Sequence, residues 1–249
     1  MEPHLEHTVA DGVATVVISN PAKRNAMTAD MWRALPGLLE RLTHAPEVRA
    51  LVLTGAGSTF CAGADISSLH EPAPGETPQN LAVRAEDALA AFPKPTLAAV
   101  RGYCVGGGCQ LAAACDLRFA EEGASFGITP AKLGIVYPAS STRRLVSLVG
   151  PAAAKYLLFS AELIGTDRAL RTGLVDEVLP AGELGKRVAE FARILTSRSQ
   201  LTQAAAKEFA AGRTDRDAYW AEQARGSSDP AEGVAAFLER RQPGFNWTV

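Results

Sequence analysis

Short apolar runs alternate along this chain with stretches in which apolar residues recur every three or four positions. Val13-Ala14-Thr15-Val16-Val17-Ile18 and Ala50-Leu51-Val52-Leu53-Thr54 are β-branched and bounded by turn residues, which predicts strands. Between them Thr28 is placed to cap a helix to about Leu42, with Met31, Leu35, Leu38, Leu39 and Leu42 on one face. The alternation repeats as helix over Leu81–Ala91, strand over Thr96–Val100, helix over Gly108–Ala114 and strand over Asp116–Ala120. Strand and helix in turn predict the α/β class, built around largely parallel strands. The proline-rich run from Glu71 to Pro78 reads as a mobile loop.

Beyond Pro180 only helical periodicity remains, over Glu183–Thr196, Ser199–Ala211, Asp215–Arg225 and Pro230–Arg240. This predicts a core over residues 1–195 and a helical C-terminal region over 196–249. Amphipathic helices without a sheet of their own need a partner surface, so an oligomer is expected.

Bulk properties narrow the function classes. With 249 residues, 47% hydrophobic, the chain can bury a substantial core. A net charge of -2 without runs of like charge argues against nucleic acid and anionic membranes as partners. No apolar stretch is long enough to span a bilayer, and Met1-Glu2-Pro3-His4 lacks a signal-peptide pattern. The four cysteines form no C-x-x-C pair and the four histidines are scattered, so no metal is expected. Reduced thiols in a cytoplasm are the simplest reading.

Chemistry first suggests itself at Val105-Gly106-Gly107-Gly108-Cys109-Gln110, which follows a strand and opens a small-residue helix. Unshielded backbone N–H groups at a helix N-terminus suit an anionic oxygen. The spacing is neither that of a phosphate loop nor that of a dinucleotide fold, and glycines also serve tight packing. Phe60-Cys61-Ala62-Gly63-Ala64-Asp65-Ile66 again presents small residues after a strand. Two such presentations converging on one oxygen make an oxyanion hole. Cys61 and Cys109 adjoin both, but His4, His7, His44 and His70 form no constellation with them, so small apolar packing is expected. Asp116 is expected to position the strand after it, and Arg143 and Arg144 to be structural on a helix starting near Ser140.

Taken in order, Asn20-Pro21-Ala22-Lys23-Arg24-Asn25-Ala26-Met27, the Phe60–Asp65 run, Arg101–Cys109, Cys115-Asp116, Phe126-Gly127 and the tail Phe237–Phe245 resemble the enoyl-CoA hydratase/isomerase (crotonase) family. The resemblance covers nearly the whole chain. It implies a spiral of ββα units with a C-terminal helical trimerisation region, assembled as a trimer or dimer of trimers. It implies an acyl-CoA thioester as substrate, with no cofactor beyond the coenzyme A that the substrate carries. By position, the amides of Ala64 and Gly107 hold the thioester carbonyl. Lys23, Arg24, Ala62, Asp65, Ile66 and Thr129 fall on or beside its substrate- and CoA-binding positions, and Arg240 and Arg241 are further candidates for a phosphate.

The departures from the family pattern are as informative. Gln110 and Pro130 stand where hydratases of the family carry the two glutamates that handle water, and Pro138 occupies another family position for an acid. Neither glutamine nor proline exchanges protons near neutral pH. Thr129-Pro130-Ala131-Lys132-Leu133-Gly134-Ile135-Val136-Tyr137 is similar to the methylmalonyl-CoA decarboxylase branch, in which a tyrosine at the place of Tyr137 contacts the substrate carboxylate. That branch has histidine where this chain has Ala64. Tyr137 is also readable as a core aromatic with its hydroxyl tied to backbone. Decarboxylation of a malonyl-type thioester needs no base, and a site lined by Ile66, Ile128, Val136 and Tyr137 would desolvate the leaving carboxylate. Decarboxylation is therefore the expected reaction; the alternatives are a hydratase or isomerase with a non-standard acid/base, or a non-catalytic acyl-CoA-binding subunit.

Overall fold

The computed structural model describes residues 2–65, 67 and 77–248. His4–Ala10 (β1) and Val13–Ser19 (β2) form an antiparallel hairpin through Asp11 and Gly12, both at positive φ as a two-residue turn of this hand requires. β1 is an edge strand, exposed at nearly every position, so it lacks the alternation that marks a strand in the sequence. In β2, Ala14, Val16 and Ile18 are buried at alternate positions.

β2 begins a parallel series. Ala50–Gly55 (β3), Thr96–Val100 (β4), Leu117–Glu121 (β6) and Glu177–Leu179 (β9) follow it in one six-stranded sheet of order β1-β2-β3-β4-β6-β9. A smaller sheet joins Tyr103–Val105 (β5), Ser125–Gly127 (β7) and Ile164–Gly165 (β8). Five of these strands, β1, β5, β7, β8 and β9, lie outside the predicted ones; the last four are two or three residues long and carry no periodicity.

Helices cover both faces of the large sheet. Ala29–Thr43 (α1), Pro78–Ala90 (α2) and Gly107–Ala114 (α3) pack with it in the main core. Thr28 caps α1 as predicted, its Oγ1 accepting from Met31 N. α2 starts earlier than the apolar pattern suggests: Thr77 accepts from Asn80 N and Pro78 opens the helix. The rest of the predicted mobile loop, residues 71–76, lies outside the described residues. Leu184–Thr196 (α6) seals the opposite face, with Leu184 and Val188 against Val52, Leu97 and Phe119.

Ala139–Ser160 (α4) is broken at Gly150, at φ 73°, before Pro151, and Thr166–Thr172 (α5) follows β8. Gln200–Ala210 (α7) and Asp217–Gly226 (α8) form a separate apolar cluster around Leu201, Ala204 and Trp220, and Asp229–Glu239 (α9) joins the start of α7 through Asp229, which accepts from Ser199 Oγ at 2.6 Å. Lys207 of α7 ties this region to the sheet, its Nζ lying 2.8 Å from Asp116 and 3.2 Å from the carbonyl oxygen of Lys94. Asp116 also accepts from the amide and hydroxyl of Thr96, so it anchors β4 and the tail rather than the strand after it. The buried Lys94 donates to the carbonyl oxygens of Leu42, Thr43 and Ala45, where its charge meets the negative end of α1. No helix among the described residues is long and apolar enough to cross a membrane, and no group of three His, Cys, Asp or Glu among them can hold a metal ion.

Candidate active site

Parallel strands place the chain exits of β3 and β4 on one edge of the sheet, and the site is built there. The segment after β3 lies along the one after β4: Phe60 N donates to Arg101 O, Cys61 N to Tyr103 O, and Val105 N to Cys61 O. The approach depends on Gly108, because a Cβ there would stand 2.2 Å from the carbonyl oxygen of Cys61. Met27 holds the other side, accepting from Asp65 N while its own N–H donates to Gly63 O.

Those bonds leave the amide of Ala64 unused, and Gly107, as the first residue of α3, has no intrahelical acceptor. Among the described residues neither amide donates to a protein acceptor. The two are neighbours: a Cβ on Gly107 would lie 3.5 Å from Ala64 N, and a Cβ on Gly63 would lie 3.5 Å from Gly107 N. Ala64 and Gly107 line one cavity of about 210 Å³. An oxygen bound between them would receive two N–H donors at the positive end of α3.

The remaining cavity wall is mostly apolar, from Trp32, Ala82, Leu133 and Ile135, with Gln79, Gln110, Thr129 and Tyr137 as its polar side chains among the described residues. Among the described residues no Asp, Glu, Lys or Arg lines it. Pro130 opens a short 3-10 turn that brings Thr129 and Pro130 to the cavity together. Burial pushes the Tyr137 phenol well above its ordinary value of 10, so its hydroxyl is held as a donor. The indole N–H of Trp32 is buried without a partner among the described residues, while the ring edge stands where a Cβ on Gly107 would meet it.

Two predicted wall residues are elsewhere. Ile128 is buried in the main core and Val136 points outward with 86% of its surface exposed, because the turn after Pro130 rotates it away. Ile66 lies outside the described residues. The cysteines pack as small apolar groups: burial pushes the thiols of Cys61 and Cys115 up to about 12, which removes them as nucleophiles.

The CoA-side candidates gather beside the cavity. Lys23 Nζ lies 2.8 and 3.0 Å from the Asp65 carboxylate oxygens and 2.5 Å from Ser67 Oγ. Burial by itself would raise the Asp65 carboxyl, but bonds from Lys23 and Ser67 outweigh it and hold the group below 3.8. Arg24 lies 4.7 Å over the Tyr103 ring, and its carbonyl accepts from Ala62 N. Of these four residues only Ala62 lines the cavity. Arg241 is taken up by Glu232 and Glu239.

A carboxylate does stand close to the site. Glu86 of α2 is fully buried behind Gln110, whose Nε2 donates to it at 2.5 Å and to Ser141 Oγ at 3.0 Å. Ser141 Oγ and the guanidinium of Arg144 also bond Glu86. No motif marks Glu86. Its one local signal is position, since it falls on the same helical face as Ala82 and Leu89, an acid inside an apolar stripe.

Comparison with known proteins places the chain among relatives of one family. The enoyl-CoA hydratase/isomerase family profile matches residues 8–248. The crotonyl-CoA hydratase of Syntrophomonas wolfei is 36% identical over 244 residues, covering 94% of each chain. The 2,3-dehydroadipyl-CoA hydratase of Escherichia coli is 33% identical, again over 94% of each. A crystal structure of an enoyl-CoA hydratase/isomerase family member superimposes with a TM-score of 0.92 at 41% identity, covering 100% of both chains. That of a family protein from Hyphomonas neptunium gives 0.89 at 35% identity, covering 98% of this chain and 97% of the other. Through its sequence along nearly its full length, and through its fold, the chain belongs to the enoyl-CoA hydratase/isomerase family.

Proposed function

We propose that the protein forms an enolate from an acyl-CoA thioester, and that it does so by decarboxylating a malonyl-type CoA ester. The observation that carries this reading is a cavity with two uncommitted amides and two hydroxyls but no acid or base among its described lining residues. The thioester oxygen sits between the amides of Ala64 and Gly107. With the carboxylate held perpendicular to the thioester plane, the bond to its carbon breaks. That electron pair forms the enolate double bond, the carbonyl π pair moves to the oxygen, and CO2 leaves. Solvent then supplies the proton to the α-carbon. Placing the two amides in advance stabilises the developing oxyanion without reorganisation. Tyr137 and Thr129 offer O–H donors to the carboxylate, and the absence of an anion among the described lining residues spares it like-charge repulsion.

The names of the relatives favour a second reading, hydration, in which Glu86 would have to act through Gln110. Two assays separate the readings. Purified protein should release CO2 from methylmalonyl- or ethylmalonyl-CoA while leaving the absorbance of crotonyl-CoA unchanged. No CO2 above background overturns decarboxylation; loss of crotonyl-CoA absorbance favours hydration, and binding of both esters without turnover favours a binding subunit.

Tyr137→Phe removes one hydrogen bond to a charged group, worth about 1.5–3 kcal/mol, so kcat/KM for CO2 release should fall about 10–100-fold. Because the phenol titrates well above 10, the wild-type rate should show no alkaline decline from this group between about pH 8 and 10. A pH–rate profile of both proteins checks this. Assembly as a trimer or dimer of trimers belongs to the same proposal, supported by the exposed apolar side chains of Phe237 and Leu238 on α9.

A further inference from the structure

We infer that Glu86 is a positioning residue, which fixes the amide of Gln110 so that this wall of the cavity presents a carbonyl oxygen and turns an anionic acyl group toward Tyr137 and Thr129. The inference rests on the decarboxylation reading and adds to it the element that sets acyl orientation.

The geometry begins with the carboxylate. One Glu86 oxygen faces the Arg144 guanidinium, and the other receives Gln110 Nε2 and Ser141 Oγ. A carboxylate committed to a guanidinium is an acceptor, so the part of Gln110 that faces it at 2.5 Å must be the NH2 group. Ser141 adds a second reason: its hydroxyl is spent on Glu86, which leaves its oxygen to accept from the same NH2 group at 3.0 Å. Both amide protons are thereby used on the buried side. Among the described residues nothing donates to the Gln110 carbonyl oxygen, and Gln110 is the member of this network that lines the cavity.

A fixed carbonyl oxygen is a poor neighbour for a carboxylate and no hindrance to a neutral alkyl group. Thr129 and Tyr137 supply donors on the cavity wall as well. A malonyl-type acyl group, pinned by its thioester oxygen at Ala64 and Gly107, therefore has one orientation in which its carboxylate meets donors and another in which it meets an acceptor. Glu86 makes that difference permanent, since a free glutamine side chain would rotate its amide to suit either ligand.

The test is a binding comparison with two ligands that cannot lose CO2: a sulfonate isostere of methylmalonyl-CoA, and butyryl-CoA. Wild-type protein should bind the sulfonate more tightly. Gln110→Glu should weaken sulfonate binding at least tenfold more than it weakens butyryl-CoA binding. In Glu86→Gln the amide at residue 86 can pair with Gln110 in either orientation, so the preference should narrow at least fivefold. Ser141→Ala should narrow it by a smaller factor. If Glu86→Gln and Ser141→Ala weaken both ligands equally, Glu86 only supports the fold and the inference is overturned. If Glu86→Gln does not fold, Gln110→Glu and Ser141→Ala decide alone, and an unchanged preference in both overturns it. A wild-type protein that binds butyryl-CoA without preferring the sulfonate overturns the decarboxylation reading and this inference together. A wild-type preference that survives in the variants overturns the inference only.

Discussion

Gly108→Ala is expected to lower kcat/KM for any thioester substrate by about 100–1000-fold, the loss associated with removing one oxyanion donor. The added methyl would stand 2.2 Å from the carbonyl oxygen of Cys61, a contact of a backbone-fixed Cβ with a main-chain oxygen that no rotamer change relieves. Either α3 or the Phe60–Asp65 segment must move, and each carries one of the two amides. Over-filling of this kind costs about 1–3 kcal/mol in stability, so the variant should still fold. Gly226→Ala is the control, because a Cβ at that position meets nothing. Steady-state rates with thermal melts of all three proteins make the comparison. A Gly108→Ala protein with rates within about threefold of wild type would show that the paired amides are not needed.

Lys94→Met should have the largest effect on stability. Its Nζ is the shared donor for three carbonyl oxygens at the end of α1, and methionine fills the space without replacing any of the bonds. At about 1–3 kcal/mol for each buried carbonyl left unsatisfied, the loss should reach roughly 3–5 kcal/mol. For a chain of this size that lowers the melting temperature by about 10 °C. The contacts lie at the start of β4, at the opposite end of the strand from the cavity. Catalytic constants measured well below the transition should therefore stay near wild type, and a melt displaced by less than about 3 °C would show that water satisfies those carbonyls.

How much of this was legible in the chain depended on the kind of signal. Of the predicted strands, β3 and β4 are near-continuous apolar runs such as Leu51–Leu53, and buried parallel strands write themselves this way. β1 was hidden because an exposed edge strand has no apolar face to repeat. The two amide presentations were legible because glycines are placed where backbones meet, at Gly63 and Gly108. The cavity wall was only partly legible. Tyr137, Thr129 and Pro130 reach it, whereas Ile128 and Val136, on either side of the same short turn, face the core and the solvent. A turn residue's direction is set by local geometry rather than by period. Glu86 was out of reach for another reason: its partners Gln110, Ser141 and Arg144 come from two other helices, 24 to 58 positions away in the chain.

The parallel run from β2 to β9 has a consequence for how this scaffold diversifies. On the proposed reading, thioester recognition is invested in main-chain groups at the edge of the sheet, which substitution cannot readily erase. The acyl-facing surface is instead written in individual side chains at positions 110, 129, 133, 135 and 137. New acyl specificities can accordingly arise one codon at a time, while the handle shared by every CoA ester is inherited intact.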